Sequence, residues 1–162
     1  MSSSSINIGQ KIGRLMTPLY MIYFRQARGM TLGVRAAVLD GDNRVFLVKH
    51  TYVPGWYLPG GGVEANETTD QALARELSEE GHINLHGPAI LHGLYWNREG
   101  SRRDHVAFYV VRDFTQDRPR MPDHEIAEAG FFALDSLPED TTAATRRRLD
   151  EVSGARTPDG IW

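Results

Sequence analysis

Three glutamates with the spacing of one helical face stand in the stretch RELSEE, residues 75–80. Positions i, i+3 and i+4 of a helix lie on the same side, so the carboxylates of Glu76, Glu79 and Glu80 converge. Each like-charge pair at this spacing destabilises a helix by about 0.2–0.5 kcal/mol, and a bound divalent cation would reverse that effect. Since the chain has no cysteine, oxygen ligands remain, and they favour a hard ion such as Mg²⁺ or Mn²⁺.

A glycine-rich loop with further acids directly precedes these glutamates, in PGGGVEANE, residues 59–67. Glycine permits positive φ angles and lets the backbone approach a ligand closely. Arg75 keeps its charge and cannot be a metal ligand, so we expect it to hold a loop carboxylate, with Glu67 as the candidate. Loop and glutamates together predict a metal site with positions open for phosphate oxygens.

The whole chain limits what surrounds this site. Its 162 residues suffice for one ordinary domain. A net charge of −3 and a pI near 6.1 exclude a general attraction to nucleic acid or to an anionic membrane. The absence of cysteine fits a reducing compartment, so we expect a cytoplasmic location.

The apolar run 15–24 is too short for a membrane span. It is interpreted as a helix or arm packed on the domain or on a second subunit, with a membrane-surface helix as the alternative.

The elements that position the site follow from periodicity and turn signals. Thr68 and Gln71 have the spacing of a capping box, which predicts that a helix begins there and continues through the glutamates. Two runs around the turn Gly-Asp-Asn, residues 33–40 and 44–50, predict a β-hairpin. Further strands are predicted at 89–96, 105–114 and 129–134, and a closing helix at 141–152. This order predicts a mixed sheet covered by helices on both faces.

The spacing of the site residues resembles the signature of the Nudix hydrolases, Gly-x5-Glu-x7-Arg-Glu-U-x-Glu-Glu-x-Gly-U, where U is aliphatic. Every defined position from Gly61 to Ile83 matches except position 82, which is histidine instead of glycine. The resemblance covers about residues 31–150. It implies an α/β fold, the Nudix α/β/α sandwich with a mixed β-sheet and a loop-helix-loop Nudix box. The implied organisation is an N-terminal extension over 1–30, a Nudix domain over 31–155 and a C-terminal tail over 156–162.

The resemblance also implies roles for the residues that match. Glu76, Glu79 and Glu80 would bind Mg²⁺ or Mn²⁺, while Gly61, Glu67 and Arg75 would shape the box. The reaction would be hydrolysis of the pyrophosphate bond in a nucleoside diphosphate linked to a variable group X, such as ADP-ribose, a nucleotide sugar, a dinucleotide or a nucleoside triphosphate. The general base would be a box glutamate, Glu76 or Glu79, or the later Glu125.

Residues that would bind the substrate are harder to read from the sequence. Lys49 and His50 end a predicted strand just before the glycine-rich loop, and Arg102 and Arg103 lie in a loop that could cap a phosphorylated ligand. Trp56 could stack on a base or pack in the core. The run 146–148, three arginines, is interpreted as the exposed face of the closing helix.

Two other functions compete with hydrolysis. A non-catalytic Nudix domain could serve as a nucleotide-ligand sensor or adaptor, although such a domain needs no set of three metal carboxylates. Isomerase chemistry typically needs a cysteine, and the chain has none. The expected partner is a small nucleoside diphosphate derivative rather than a nucleic acid duplex, and the sequence leaves a homodimer open.

His82 leaves two alternatives for the helix end: the helix stops one residue early, or His82 itself adopts a positive φ angle.

Overall fold

The computed structural model describes residues 29–162, so the predicted N-terminal helix or arm lies outside the described residues. The described elements are β1 (Thr31–Val38), β2 (Arg44–His50), α1 (Thr69–Gly81), β3 (Ile83–Leu85), β4 (Ile90–Trp96), β5 (Asp104–Val111), β6 (Phe114–Gln116), β7 (Ile126–Ala133) and α2 (Ala143–Val152). Within residues 29–162, neither helix is long and apolar enough to cross a membrane.

The strands combine parallel and antiparallel pairs. Strand β5 lies between β1, which runs parallel to it, and β4, which runs antiparallel. Strand β2 pairs antiparallel with β7, and the short β3 pairs with β6. A mixed α/β architecture is therefore present, as the sequence predicts.

The predicted hairpin of β1 and β2 is present only at its turn. The Asp40 backbone N–H donates to the Arg44 carbonyl over 3.0 Å, and Leu39 bridges Val45. Beyond this point the strands diverge, because β1 pairs with β5 through its whole length and β2 pairs with β7. The prediction of a fully paired hairpin was wrong because a tight turn fixes only the residues beside it.

Strand β2 separates two hydrophobic cores, since successive side chains of a strand point to opposite faces. Phe46 and Val48 are buried in the core that contains Leu73 and Leu77 of α1. Val45 and Leu47 belong to the other core, with Leu149 of α2. The sheet thus carries one helix on each side, and any residue of β2 faces either α1 or α2.

Helix α1 begins as predicted at Thr68. The Thr68 hydroxyl accepts a hydrogen bond from Gln71 N over 3.2 Å, and the Gln71 side chain accepts one from Thr68 N over 2.9 Å. This complete capping box fixes the start of the helix and therefore which of its residues face the sheet. Ala72, Leu73 and Leu77 are buried on that side.

Several strand limits differ from the prediction. The strand expected over 105–114 is divided at Arg112 and Asp113, both exposed, into β5 and β6. Strand β3 was not predicted, because three residues are too few to show an alternating pattern, and it forms by pairing with β6. Strand β7 begins at Ile126, three residues before the predicted start.

The arginine run of the closing helix does not form an exposed face. Arg148 is completely buried: its guanidinium lies 3.9 Å from the ring centroid of Tyr95 and donates to Glu151 Oε1 over 2.6 Å and to the Ile161 carbonyl over 2.8 Å. Arg147 donates to the Trp162 carbonyl over 2.7 Å. The interpretation as a solvated face was wrong, because the C-terminal residues supply acceptors that a helical pattern does not reveal.

Replacement of Arg148 by alanine would leave the Glu151 carboxylate buried without its cation. Breaking such a buried pair costs about 3–5 kcal/mol, and we expect that loss in the free energy of unfolding measured by urea denaturation. Arg112→Ala is the control, because Arg112 is exposed and its guanidinium donates to the Asn43 side chain over 3.2 Å; it should change stability by less than about 0.5 kcal/mol. Equal stabilities of the two variants would contradict the assignment.

Candidate active site

Glu80 lies at the centre of the candidate site, in the last turn of α1. Only 5% of its surface is exposed, and its Oε2 accepts a hydrogen bond from Gly60 N over 2.7 Å. Burial raises the pKa of the Glu80 carboxyl to about 7, with Glu76 and Glu125 adding to the rise and Arg35 and the Gly60 N–H opposing it. The protein thus keeps a carboxylate in a place where a negative charge is costly without a cation.

Arg35 of β1 is a member of this site that the sequence analysis missed. Its guanidinium donates to the carbonyls of Gly60 and Leu58, the latter over 3.3 Å. Its positive charge acts on both Glu80 and His50. The sequence feature that could have identified Arg35 is its position as a single cation in the apolar strand sequence GVRAAV, which is mostly buried. Arg35 fixes the loop that approaches the glutamates.

Arg75 connects the glycine-rich loop to α1 through a forked set of hydrogen bonds. It donates to the two carboxylate oxygens of Glu67 over 2.9 and 3.1 Å, to the Gly62 carbonyl over 3.0 Å and to Glu76 Oε1 over 2.7 Å. Arg75 accordingly lowers the pKa of Glu67. The expected pairing of Glu67 with Arg75 is present, and it orders the loop against the helix.

The three box glutamates differ in how firmly they are held. Glu76 is packed against Gly61, where any β-carbon would collide with the Glu76 carboxylate. The Glu79 side chain is 62% exposed and lies 3.4 Å from Arg75 Nη1. Glu80 is therefore buried and fixed, Glu76 is held by packing and by Arg75, and Glu79 is largely open to solvent.

His50 and Glu125 approach Glu80 from the β2–β7 pair. One potential ligand atom from each of the three residues lies within 4.8 Å of the others. A shift in strand register between Lys49 and His50 occurs at this point, and Thr51 N donates to the Glu125 carbonyl over 2.9 Å. Burial lowers the pKa of His50, and Arg35 acts in the same direction. Among the described residues, this is a group that could hold a metal ion.

The loop that carries Glu125 is shaped by Asp123. Its Oδ1 accepts hydrogen bonds from the backbone N–H groups of Glu125 over 2.9 Å and Ile126 over 2.8 Å. These bonds and the Arg120 side chain hold the pKa of Asp123 far below its usual range. The backbone beside Glu125 is therefore fixed, while its side chain stays exposed.

The other predicted substrate residues lie elsewhere. Lys49 points to the α2 side of the sheet and pairs with Asp140 over 2.9 Å. Trp56 is buried in the core against Phe132, with ring centroids 4.8 Å apart, so it is a packing residue. Arg102 and Arg103 lie on the turn between β4 and β5, where their carbonyls accept from Trp96 Nε1 and Thr31 N. Their roles in substrate binding stay predictions.

A groove of about 750 Å³ opens beside the box loop. It is lined by residues that include Arg35, Tyr57, Gly61, Asn97, Arg147 and Trp162, and Gly61 packs against the Glu76 carboxylate. It is large enough for a ligand that extends beyond the phosphate groups.

Position 82 resolves the alternatives left by the sequence. His82 adopts the left-handed conformation, with φ 53° and ψ 36°, and its backbone N–H donates to the Leu77 and Ser78 carbonyls. Its side chain lines a polar groove with Asn84 and Asp117, away from the candidate metal group. The substitution therefore changes the helix end and leaves Glu80 in place.

Comparisons with known proteins agree with this architecture. The sequence model of the NUDIX domain matches residues 29–152, and the chain belongs to the Nudix family. It is 33% identical over 106 residues to the ADP-ribose pyrophosphatase of Methanocaldococcus jannaschii, covering 63% of this chain and 62% of that protein. It is 44% identical over 61 residues to the RNA pyrophosphohydrolase of Halorhodospira halophila, covering 38% of this chain and 32% of that protein. The chain thus spans less than two thirds of either relative.

A solved structure extends the likeness to the fold. The MutT NUDIX hydrolase from Burkholderia pseudomallei superposes with a TM-score of 0.65 at 32% identity, covering 75% of this chain and 97% of that chain. The Nudix α/β/α sandwich implied by the sequence is thereby confirmed.

Adjacent glycines provide a matched test of how the box is packed. A β-carbon at Gly61 would collide with the Glu76 carboxylate, whereas one at Gly62 would meet nothing within 4 Å. We expect Gly61→Ala to push the Glu76 carboxylate, the end of a flexible side chain, away from Arg75 and to lower the free energy of unfolding by about 1 kcal/mol, the upper range for an ion pair near the surface. Gly62→Ala should leave it within about 0.5 kcal/mol. Urea denaturation of both variants checks this, and an equal response would show that Glu76 is not confined by Gly61.

The left-handed residue at the helix end gives a second stability prediction. His82→Gly should raise the free energy of unfolding by up to about 1 kcal/mol, because glycine adopts positive φ without steric cost. His82→Ala should lower it, since alanine tolerates that conformation poorly. Thermal and urea unfolding measure both effects. Stabilisation by alanine would contradict the observed conformation.

Proposed function

We propose that this chain is a divalent-cation-dependent pyrophosphohydrolase, which cleaves the pyrophosphate bond in a nucleoside diphosphate linked to a group X. The observation that carries the proposal is the placement of Glu76, Glu79 and Glu80 at positions i, i+3 and i+4 of α1, beside a glycine-rich loop fixed by Arg75. We assign the activity to residues 31–155, which nearly coincide with the NUDIX match.

The residues present fit a divalent metal. Glu80 is a buried carboxylate with a raised pKa, and within residues 29–162 His50 Nε2 lies 3.6 Å from its Oε1. We propose that Glu76, Glu79 and Glu80 hold Mg²⁺ or Mn²⁺. When bound, such an ion supplies charge neutralisation of the diphosphate and a lowered pKa for a coordinated water.

The chain's own residues would then position the substrate and accept a proton. Arg75 and Arg35 hold the box loop from two sides, which keeps its backbone close to the phosphate position. Glu76 is poorly suited as the general base, because Arg75 donates to its carboxylate over 2.7 Å. Glu79, which is largely exposed, fits that role better, and Glu125 is the second candidate.

The substrate class is supported by the groove and by the names of the relatives. The groove beside Gly61 can accept a nucleoside or another X group while the diphosphate lies at the glutamates. ADP-ribose and RNA are named in the descriptions of two relatives. We therefore propose nucleoside diphosphate derivatives as substrates, with ADP-ribose the first to test.

The decisive assay measures nucleotide and phosphate release from a panel of nucleoside diphosphate derivatives, with Mg²⁺ or Mn²⁺ and with a chelator. Turnover should need the metal, and Glu79→Gln and Glu80→Gln should each reduce kcat/KM at least about 100-fold, or roughly 2.7 kcal/mol of barrier. Glu139→Gln is the matched control, because Glu139 is an exposed acid outside the box, and it should retain full activity.

Two outcomes would overturn the proposal. Turnover that is unaffected by both box variants would place the chemistry elsewhere. Tight binding of a nucleotide by the folded protein, without turnover of any panel member, would favour a ligand sensor.

A further inference from the structure

We propose that His50 is a direct nitrogen ligand of the metal site, together with Glu80 and Glu125, so that the site binds Mn²⁺ or Co²⁺ in preference to Mg²⁺. This inference rests on the proposed divalent-metal function and adds a ligand from outside the carboxylate helix. It also names the class of metal, a first-row transition ion, that the site would take.

The geometry brings three donors from three separate segments to one point. His50 ends β2, Glu80 lies in the last turn of α1, and Glu125 directly precedes β7. One ligand atom of each lies within 4.8 Å of the other two. Two donors that each lie about 2 Å from one ion are separated by roughly 3–4 Å, so small side-chain movements would suffice to coordinate a single ion.

The surroundings of His50 indicate a ligand rather than an ordinary buried histidine. Only 7% of the residue is exposed, and its Nδ1 is buried and finds no hydrogen-bond partner within residues 29–162. Its Nε2 lies 3.6 Å from Glu80 Oε1, which is too long for a hydrogen bond. The rings of Tyr52 and Tyr57, with centroids 5.1 and 5.8 Å away, hold the imidazole in position.

A bound ion would satisfy this arrangement. An ion between His50 Nε2 and Glu80 Oε1 would bridge two polar atoms that are too far apart to hydrogen-bond each other directly. The exposed Glu125 side chain leaves an entry path from solvent.

The donor set determines the preferred ion. Mg²⁺ favours carboxylates, waters and phosphate oxygens, whereas an imidazole nitrogen favours later transition metals. With the nitrogen ligand added, the site should therefore bind Co²⁺ more tightly than Mn²⁺, and both more tightly than Mg²⁺.

The test is pulsed electron paramagnetic resonance on the full-length chain loaded with one equivalent of Mn²⁺. Coupling of the ion to ¹⁴N should appear in the wild type and be lost in His50→Gln. His124→Gln is the matched control, since His124 is an exposed histidine directly beside Glu125. In this variant the coupling of Mn²⁺ to ¹⁴N should persist. In parallel, His50→Gln should weaken Co²⁺ binding at least about tenfold and Mg²⁺ binding less.

Absence of nitrogen coupling in the wild type, or its persistence in His50→Gln, would overturn the inference. If His50 and Glu80 form a direct hydrogen bond instead of sharing a metal ion, the wild type will show no nitrogen coupling. If His50→Gln does not fold, as judged by circular dichroism, wild-type protein with ¹⁵N-labelled histidine replaces it: an unchanged ¹⁴N signal then excludes a histidine ligand.

Activity on the same samples separates this inference from the proposed function. Metal-dependent hydrolysis without nitrogen coupling rejects only the role of His50. Nitrogen coupling without hydrolysis of any panel member supports that role and rejects the proposed function.

Discussion

The buried carboxylate of Glu80 is the constraint on which the site depends. It accepts the N–H of Gly60 over 2.7 Å, and Gly60 has φ +138° and lies so close to Val34 that a β-carbon would not fit. The Gly60 carbonyl in turn accepts from Arg35 of β1. Strand β1, the glycine-rich loop and helix α1 are therefore connected at the Glu80 carboxyl group. These contacts fix the loop backbone beside Glu76.

The two-sided environment of the sheet decides which polar residues reach the site. Strand β2 sends alternate side chains to α1 and to α2, so its adjacent basic residues are separated. His50 lies beside Glu80, and Lys49 pairs with Asp140 on the other side. Two adjacent basic residues thereby acquire different environments, one in the candidate metal group and one in a surface ion pair.

A second charged group, distant from the glutamates in the sequence, organises the α2 side of the sheet. The Arg148 guanidinium lies against the rings of Tyr95 and Trp162, at 3.9 and 5.4 Å from their centroids, and pairs with Glu151. Trp162 also lines the groove beside the box. The C-terminal residues are thus attached to the sheet by a buried cation, and they contribute to the surface on which the X group of the proposed substrate would lie.

The sequence by itself determined the local features. The capping box at Thr68, the face shared by the three glutamates and the Glu67–Arg75 pair all depend on contacts within about twenty residues, where spacing dictates geometry. At His82 the sequence left two helix ends open, and the structure shows the left-handed conformation. The family signature supplied the fold, because the match extends across most of the chain. The tertiary structure alone decided the long-range contacts: the separation of β1 from β2, the burial of Arg148, and the approach of Arg35, His50 and Glu125 to Glu80. These contacts join residues from different strands and loops, and no periodic pattern records which distant segments will pack together.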